Sequence, residues 1–342
     1  MGSRRRQSQR PTLEAVAQLA GVGRGTVSRV VNGAPGVSAR ARAVVEAAIA
    51  ELNYVPNPAA RSLVTSRTDS IALVIPESEQ RLADEPYFSA VIRGVCTELA
   101  ETELQLLLIL VRDERELKRL TRFVEARRVD GVLLVSVHQD DPLPALLEEL
   151  QIPTVLAGRR TPGESLSHVH SDNLGGAAQA VRHLLDQGRT EIATITGPLD
   201  MDVGRSRLQG WRDAHTERGA EPDELLAVPG DFTEEGGRAA MAGLLGRRPG
   251  LDAVFAASDV MAAGALTELR ERGRRVPEDV AVVGFDDSPI ARHTVPPLTS
   301  VCQPIEEIGR SITRLLLAEI EDPAGPRRHL TLPTTLTQRQ TT

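Results

Sequence analysis

The stretch LAGVGRGTVSRVVNG, residues 19–33, carries three glycines at alternate positions: Gly21, Gly23 and Gly25. Closely spaced glycines form loops that bind phosphate at the start of a helix, and they also form tight turns between two helices. The first possibility predicts a nucleotide-binding enzyme, and the second predicts a reader of DNA. The residues on either side of the glycines distinguish the two.

A phosphate-binding loop needs a strand before its glycines, so that the turn brings the phosphate to a helix N-terminus. Here the preceding residues are TLEAVAQLA, 12–20, whose apolar spacing is that of a helix. Such a loop also needs an acidic residue at a strand end about 20 positions later, where this chain is alanine-rich and helical. The pattern therefore argues against a nucleotide site and indicates a helix–turn–helix.

Three short helices are predicted over residues 12–52. Thr12 and Ser38 are the expected N-caps of the first and third, and the second runs from about Arg24 to Val31. The apolar residues at helical spacing are Leu13, Val16, Ala17, Ala20, Val27, Val30, Val31, Val45, Ala48, Ile49 and Leu52. Residues 53–68 are polar and interrupted by proline, which is typical of a linker or hinge.

The second predicted helix carries a polar face suited to DNA. Its N-terminal half, the end that enters a major groove in this motif, contains Arg24, Gly25, Thr26, Ser28 and Arg29. Residues 1–68 hold ten arginines, no lysine and three acidic residues, a net charge of +7 in a chain whose total is −7. A basic segment on an acidic body is directed at a polyanion, whereas an ordinary helical hairpin needs neither feature.

From residue 70 onward, apolar strands alternate with amphipathic helices. The predicted strands are residues 71–76, 104–110, 130–137, 153–158, 192–197, 253–258 and 280–285. Continuous apolar strands separated by helices form parallel sheets that are covered on both faces. This pattern predicts an α/β protein with two doubly wound lobes and a ligand site in the cleft at the carboxyl ends of the strands.

Several function classes find no support in the sequence. No apolar run reaches the roughly 18 residues of a membrane span, and the charged start of the chain lacks an apolar signal-peptide core. Cys96 and Cys302 are predicted to be buried thiols without a metal or redox role. His168 and His170 in SHVHSD are a weak metal signal, and no nucleophile elbow or paired acidic motif stands out. We expect no enzyme activity, no bound metal and no cofactor.

Ordered motifs along nearly the whole chain resemble the LacI/GalR family of bacterial repressors. TLEAVAQLAGVGRGTVSRVVNG and NPAARSL resemble the family's DNA-binding headpiece and hinge. The motifs that resemble its effector-binding core are SDNLGGAAQAVRHLLDQG, IATITGP, SRLQGW, FAASDVMAAGAL and VPEDVAVVGFDDSPIARHTVPPLTSVCQP. Within the family, GVGRGTVSR and DGVLLVSVHQDDPLP are most similar to actinobacterial repressors that respond to cellobiose or related β-glucosides.

The resemblance implies a helix–turn–helix headpiece followed by a two-lobed core like that of the periplasmic binding proteins. The expected segments are a headpiece at 10–56, a hinge at 57–68, an N-terminal lobe at 69–167 and 301–322, and a C-terminal lobe at 168–300 and 323–342.

In the family the second helix reads the major groove, which implies base contacts for Arg24, Gly25 and Arg29. Arg24 can form a bidentate pair with guanine, and Gly25 replaces the longer side chain of many relatives. Leu63 is expected to wedge into the minor groove, with a linker leucine packed on the core as the alternative. The other DNA contacts implied are Thr12, Thr26, Ser28, Asn32, Tyr54, Asn57 and Ala60.

The effector residues are likewise implied by motif. Tyr87, Phe88 and Phe232 are the aromatic residues expected at the ligand, and Arg207 with Asp286 is the expected hydroxyl-binding pair. For Asp286 a capping turn residue is the alternative. The further candidates are His138, Arg159, Ser258 and Asp259. Ser258 stands where many relatives have asparagine, and Gly158 where some have aspartate, so the sugar stays open.

Family operators are pseudo-palindromes, so the resemblance implies a homodimer that binds double-stranded DNA and releases it when a small sugar binds. We expect a dimer without tetramers, because TLPTTLTQRQTT at the end of the sequence lacks leucine heptads. A cytoplasmic repressor induced by a disaccharide is expected, with another sugar or a nucleobase-like corepressor as the alternative. An exported sugar-binding transport protein shares the two-lobed core and is the remote alternative.

Overall fold

The computed structural model describes residues 11–32, 35–55 and 67–342. The chain divides into two units, Met1–Thr68 and Asp69–Thr342, which we call the headpiece and the core. In the described part of the chain, no helix combines the length and the apolar character needed to cross a membrane.

The described residues of the headpiece contain three helices: α1 (Leu13–Ala20), α2 (Arg24–Val31) and α3 (Ala39–Leu52). Each begins where the sequence predicts. The Thr12 hydroxyl accepts a hydrogen bond from the Ala15 amide at the start of α1, and the Ser38 hydroxyl accepts one from the Ala41 amide at the start of α3. These bonds satisfy amides that have no partner inside their own helices.

The glycine-rich stretch is the turn between α1 and α2. Gly21 ends α1 at φ 66°, in the left-handed region that favours glycine. Val16, Val27 and Val45, one from each helix, are fully buried together. A helix precedes the glycines, so a strand-based phosphate loop is excluded.

Two six-stranded sheets form the core. The strands of the first are β1 (Ser70–Ile75), β2 (Gln105–Leu110), β3 (Gly131–Val135), β4 (Thr154–Ala157), β5 (Ser167–Ser171) and β11 (His329–Leu332). Those of the second are β6 (Ile192–Thr196), β7 (Ala227–Pro229), β8 (Ala253–Ala256), β9 (Ala281–Asp286), β10 (Thr299–Cys302) and β12 (Thr335–Thr337). Their orders are β11-β5-β4-β3-β1-β2 and β12-β10-β9-β8-β6-β7. Neighbours pair in parallel, except that β12 runs antiparallel to β10. Each sheet with its helices is called a lobe, lobe 1 and lobe 2 in that order.

The helices of lobe 1 are α4 (Glu79–Asp84), α5 (Pro86–Leu99), α6 (Glu114–Glu125), α7 (Leu143–Glu149) and α13 (Ile305–Glu321). Those of lobe 2 are α8 (Asn173–Asp186), α9 (Asp202–Glu217), α10 (Glu234–Arg247), α11 (Asp259–Glu271) and α12 (Pro289–His293). Alternate residues of β1 face opposite sides: Leu73 packs with α5 and α13, while Val74 packs with α6 and α7. The sheet is therefore covered on both faces, as a continuous apolar strand requires.

Strand pairing corrects the expected lobe boundaries at three places. The strand β5 pairs with β4 and so extends lobe 1 to residue 171, past the expected limit of 167. The strand β10 pairs with β9, which extends lobe 2 to residue 302. The strand β11 pairs with β5 and belongs to lobe 1, although residues 323–342 were expected in lobe 2. The cause is that β11 is a four-residue, largely exposed edge strand, HLTL, with no continuous apolar run to reveal it.

The prediction that both cysteines are buried is wrong. Cys96 is exposed and Cys302 is half-buried, and both are free thiols. Helix α5 buries Val95 and Leu99 against the sheet. Cys96 follows Val95 directly and therefore points roughly 100° away around the helix.

A glycine contact between α5 and α13 gives a test of the packing in lobe 1. A methyl group at Gly94 would overlap the Glu306 carbonyl oxygen and the backbone of Gly309. We expect Gly94→Ala to lower the free energy of unfolding of the core by about 1–3 kcal/mol, because the two backbones must separate. Urea unfolding measures the change. The matched control is Gly243→Ala on α10, where a methyl group meets no atom within 4 Å and helix propensity adds up to about 1 kcal/mol. Equal stability changes in the two variants would contradict the close contact.

Candidate functional site

A solvent-open cavity lies between the lobes at the carboxyl ends of their strands. This is the position where open parallel sheets bind ligands. The expected effector residues that line it are Tyr87, Phe88, Arg159, Arg207, Phe232 and Asp286. Their roles toward a ligand stay predictions, but the fold brings them to one place.

Arg207 and Asp286 form a buried pair on the wall of lobe 2. The Arg207 guanidinium is 3.7 Å from Asp286 Oδ1 and only 4% of the Arg207 side chain is exposed. It donates to the Ala257 carbonyl and, over 3.0 Å, to Asn173 Oδ1, and it lies 3.7 Å from the centroid of the Phe285 ring. Two of its N–H groups donate to these protein acceptors, which holds the guanidinium in one orientation and leaves other N–H groups for a ligand.

Burial dominates the protonation of this pair. It raises the pKa of Asp286, and Arg207 partly opposes that rise. It lowers the pKa of Arg207, and Asp286 opposes that fall. Gln303 Nε2 donates to Asp286 Oδ1 over 2.6 Å, and a backbone hydrogen bond from Asp259 also favours the charged form of Asp286. Because each carboxylate oxygen can accept two hydrogen bonds, Asp286 keeps the capacity to accept one from a ligand hydroxyl.

The three aromatic residues occupy different depths. Phe88 is 1% exposed and belongs to the hydrophobic core of lobe 1. Tyr87 is partly buried against it, with the ring centroids 5.5 Å apart in an edge arrangement, and burial raises the pKa of its hydroxyl. Phe232, at φ 64°, reaches the cavity from lobe 2, and its ring packs on Gly197, where a side chain would overlap it.

Two expected effector residues connect the lobes. Arg159 of lobe 1 pairs with Asp202 at the start of α9 in lobe 2, over 2.9 Å. His138 follows β3 and its Nδ1 lies 2.6 Å from Asp200 of lobe 2. Arg159 lines the cavity, whereas His138 does not. Both side chains already have partners across the cleft.

Ser258 and Asp259 lie outside the cavity lining. The Ser258 hydroxyl accepts from the Met261 amide and caps α11. Asp259 is fully buried and accepts hydrogen bonds from the Ser288 amide and the Ser300 hydroxyl, and burial raises its pKa. These bonds give both residues a structural role at the edge of lobe 2.

Sequence reasoning missed eight polar residues of the lining: Arg81, Glu85, Ser136, His170, Ser171, Asn173, Asp202 and Gln303. A partial signal was present for four. Ser171, Asn173 and Gln303 lie in quoted family motifs, and Asp202 lies at a helix start after a strand. Arg81 and Glu85 stand in a polar segment that reads as an ordinary solvated helix, so no local pattern identifies them.

The His-x-His pair has a packing role. His168 stacks on His329 with ring centroids 4.3 Å apart, and His170 lines the cavity. Burial lowers the pKa of both His168 and His170. No group of three or more metal-ligating side chains occurs within residues 11–32, 35–55 and 67–342.

The second candidate site is the exposed face of α2 in the headpiece. Arg24, Gly25 and Arg29 are exposed, and a methyl group at Gly25 meets no atom within 4 Å. Arg24 is 3.1 Å from Glu14 of α1 in an exposed ion pair, and Arg29 Nε donates to the Gly25 carbonyl. The face is open to a partner over the first two turns of the helix.

The other expected DNA contacts of the headpiece are partly buried or already make hydrogen bonds within it. Thr12 caps α1, and Thr26, Ser28 and Asn32 are half-buried. Tyr54 is 9% exposed in the headpiece core, so its ring stabilises the fold and its DNA contact stays a prediction. The expected hinge contacts Asn57, Ala60 and Leu63 lie outside the described residues.

Comparisons with known proteins identify the relatives. Residues 12–57 match the family described as bacterial regulatory proteins, lacI family, and residues 181–342 match the periplasmic binding protein-like domain. The chain is 52% identical over 333 residues to the HTH-type transcriptional regulator CelR of Thermobifida fusca, covering 97% of this chain and 98% of that protein. The chain belongs to the LacI family.

Solved structures of LacI-family members share the fold. One is described as a transcriptional regulator CelR–cellobiose complex; it is 49% identical, covers 97% of this chain and 100% of its own, and has a TM-score of 0.78. Another is the lac repressor dimer bound to operator and the anti-inducer ONPF, at 28% identity, 97% and 99% coverage and a TM-score of 0.83. These relatives are transcriptional regulators, so the comparisons point to regulation rather than catalysis.

The link between lobes at His138 predicts a pH dependence of stability. Glu77 and Asp200 raise the pKa of His138 from 6.5 to about 9. A raised histidine pKa gives stability that is fully present below pH 6.5 and is lost as the pH rises through 9. We expect His138→Gln to destabilise the core by on the order of 1 kcal/mol near pH 6.5, since partial exposure weakens the pair.

Urea unfolding at pH 6.5, 8 and 10 measures this dependence. The difference between wild type and His138→Gln should shrink toward pH 10. The control is His183→Gln, because burial lowers the pKa of His183 and its contribution is therefore constant above pH 6.5. A His138→Gln difference that stays constant to pH 10 would rule out the ionic pairing of His138 with Glu77 and Asp200.

Proposed function

We propose that this LacI-family member is a cytoplasmic, homodimeric repressor of sugar-utilisation genes that cellobiose or a related β-glucoside releases from its operator. The similarity to CelR over nearly the full length of both chains supports this proposal. The observation that carries it is the buried Arg207–Asp286 pair opening into a cavity between two lobes, in a chain whose other unit is a helix–turn–helix.

Helix α2 is the part of the headpiece that reads the operator sequence. In this motif the N-terminal residues of the second helix contact base edges, and a two-fold pair of headpieces reads two half-sites. Arg24 and Arg29 are exposed there, and the arginine fork matches guanine. Thr12, Thr26, Ser28 and Asn32 are assigned to phosphates, and the segment 57–68 to the minor groove as a hinge.

Effector binding falls to the cavity. A pyranose presents C–H groups on its faces and hydroxyls around its rim, so it suits an aromatic ring beside a charged pair. Phe232 supplies the ring, and Arg207 with Asp286 supplies the donor and the acceptor. An effector that prefers one angle between the lobes changes operator affinity by its difference in affinity for the two arrangements, typically 5- to 150-fold.

Replacing Arg24 tests the operator face. We expect Arg24→Ala to weaken binding to an operator by roughly 5- to 150-fold and to relax preference for one guanine in each half-site, since a bidentate pair is worth about 1–3 kcal/mol. Fluorescence anisotropy at one salt concentration measures operator and scrambled duplexes in parallel. Arg40→Ala, an exposed arginine on α3, is the control. Equal losses on both duplexes would reassign Arg24 to a phosphate contact.

Cellobiose release tests the proposed effector. At fixed salt we expect saturating cellobiose to lower operator affinity at least fivefold. Phe232→Leu should require at least about threefold more cellobiose, because an aromatic contact is worth about 0.5–1.5 kcal/mol beyond its area. Operator affinity without sugar should be unchanged, since Phe232 lies in the core.

The matched control is Phe123→Leu on α6, whose ring also has an arginine beside it, Arg128, at 5.9 Å. It should respond to cellobiose as the wild type does. No effect of cellobiose on operator affinity, in a wild-type protein that binds the operator, would overturn cellobiose as the effector and leave the DNA-binding assignment intact.

A further inference from the structure

A second arginine–carboxylate pair lies on the opposite wall of the cavity. Arg81 of α4 donates from Nε to Glu85 Oε2 over 3.2 Å and from Nη1 to Glu77 Oε2 over 3.2 Å. The exposed fractions of the three side chains are 18%, 12% and 10% for Arg81, Glu85 and Glu77. Arg81 and Glu85 line the cavity. The Arg81–Glu85 pair is therefore mostly buried. It differs in this from a surface ion pair, which is hydrated and contributes little to folding stability.

One carboxylate oxygen of Glu85 can accept a further hydrogen bond. Arg81 occupies Oε2, and no hydrogen bond to Oε1 occurs within the described ranges of the chain. Burial raises the pKa of Glu85 to about 7, against the opposing effect of Arg81. A buried carboxylate in this state gains from any hydroxyl that donates to it, because buried polar groups are normally hydrogen-bonded.

Glu77 ties the pair to the rest of lobe 1. It accepts a hydrogen bond from the Ser136 hydroxyl over 2.6 Å, and His138 Nε2 lies 3.8 Å away. Arg81 therefore has a second carboxylate partner that is itself held in place. Neutralising Glu85 leaves Arg81 paired, so the arginine keeps its position.

The two walls face each other across one ligand space. Asp286 lies close enough to raise the pKa of Glu85, and the Arg81 Cζ atom is 5.6 Å from the centroid of the Phe232 ring of lobe 2. Each wall thus offers one guanidinium and one carboxylate, and the Phe232 ring, beside Arg81, lines the same cavity as both pairs. A single pyranose needs one such pair, whereas a disaccharide has hydroxyls for two.

We propose that Glu85 binds hydroxyls of the second pyranose ring of a disaccharide effector and that Arg81 positions it, opposite the Arg207–Asp286 pair. This inference rests on the proposed function, since it takes the effector to be a β-linked disaccharide. It makes lobe 1 a wall that selects two-ring ligands.

Calorimetric titration with cellobiose tests the assignment in the full-length protein. Glu85→Gln should weaken cellobiose binding at least about tenfold, because the charged acceptor becomes a neutral amide and one of its two acceptor oxygens becomes a donor. Arg81→Gln should weaken it by a similar factor, and the double variant should lose little more than the stronger single variant, because the two residues act as a unit. The melting temperature of free Glu85→Gln should equal or exceed that of wild type, since a buried charge is removed and Arg81 keeps Glu77.

The matched control is Glu79→Gln on the same helix, whose side chain is 62% exposed and pairs with Arg112. It should bind cellobiose within twofold of wild type. Glu85→Gln binding within twofold of wild type would overturn the inference and leave the proposed function standing. A tenfold loss accompanied by a melting temperature several degrees below wild type would also overturn it, since Glu85 would then be a structural residue.

Absence of cellobiose binding by the wild type would overturn both the inference and cellobiose as the effector. If Glu85→Gln does not fold, Glu85→Asp replaces it, because aspartate keeps the charge and moves the oxygens back by one methylene. We then expect at least about fivefold weaker binding at the wild-type melting temperature, and unchanged binding overturns the inference.

Discussion

The burial of the Arg207 guanidinium organises the ligand end of lobe 2. A charge in the protein interior is costly unless it is paired and hydrogen-bonded. Its partners come from three separate segments: the Ala257 carbonyl after β8, the Asn173 side chain at the start of α8, and Phe285 with Asp286 at the end of β9. Satisfying one cation therefore fixes the relative positions of two strand ends and a helix, and Asn173 and Asp286 also line the cavity.

The contacts between the lobes are of a different kind from the lobe interiors. Each lobe has its own apolar core, whereas the links across the cleft are polar, such as Arg159 with Asp202 and His138 with Asp200. A pair with a solvent-exposed member, such as His138 with Asp200, contributes about 0–1 kcal/mol. The angle between the lobes is consequently the part of the core that a ligand can change at low cost, while the sheets stay intact.

The local pattern of apolar residues was sufficient to predict a strand or helix where that element buries a regular apolar face. The seven predicted strands correspond to β1, β2, β3, β4, β6, β8 and β9, and the three headpiece helices begin at their predicted caps. The strands that sequence reasoning missed are β5, β7, β10, β11 and β12. They are short, and β7, β11 and β12 are polar or partly exposed at sheet edges. Their pairing is decided by neighbours far away in the chain, which no short window contains.

The cleft shows the same division. Arg207 and Asp286, expected from their motifs, line the cavity, whereas Ser258 and Asp259, expected by the same reasoning, lie outside the lining and make capping and buried hydrogen bonds. Sequence reasoning also did not identify Arg81 and Glu85 as residues of the cavity. A charged residue on a short polar helix looks identical in sequence whether it faces solvent or a cavity, so only the folded chain separates the two.

By itself, the sequence determined the helix–turn–helix, the alternation of strands and helices, and the basic headpiece on an acidic core. Those features follow from periodicity, capping and charge, which act between residues a few positions apart. The tertiary structure decided which strands join which sheet and which charged groups meet across the cleft. His138 and Asp200 are 62 positions apart, and the partners of Arg207 lie up to 79 positions from it. The contact between His138 and Asp200 exists only once both lobes have folded and met, and the contacts of Arg207 exist only once lobe 2 has folded.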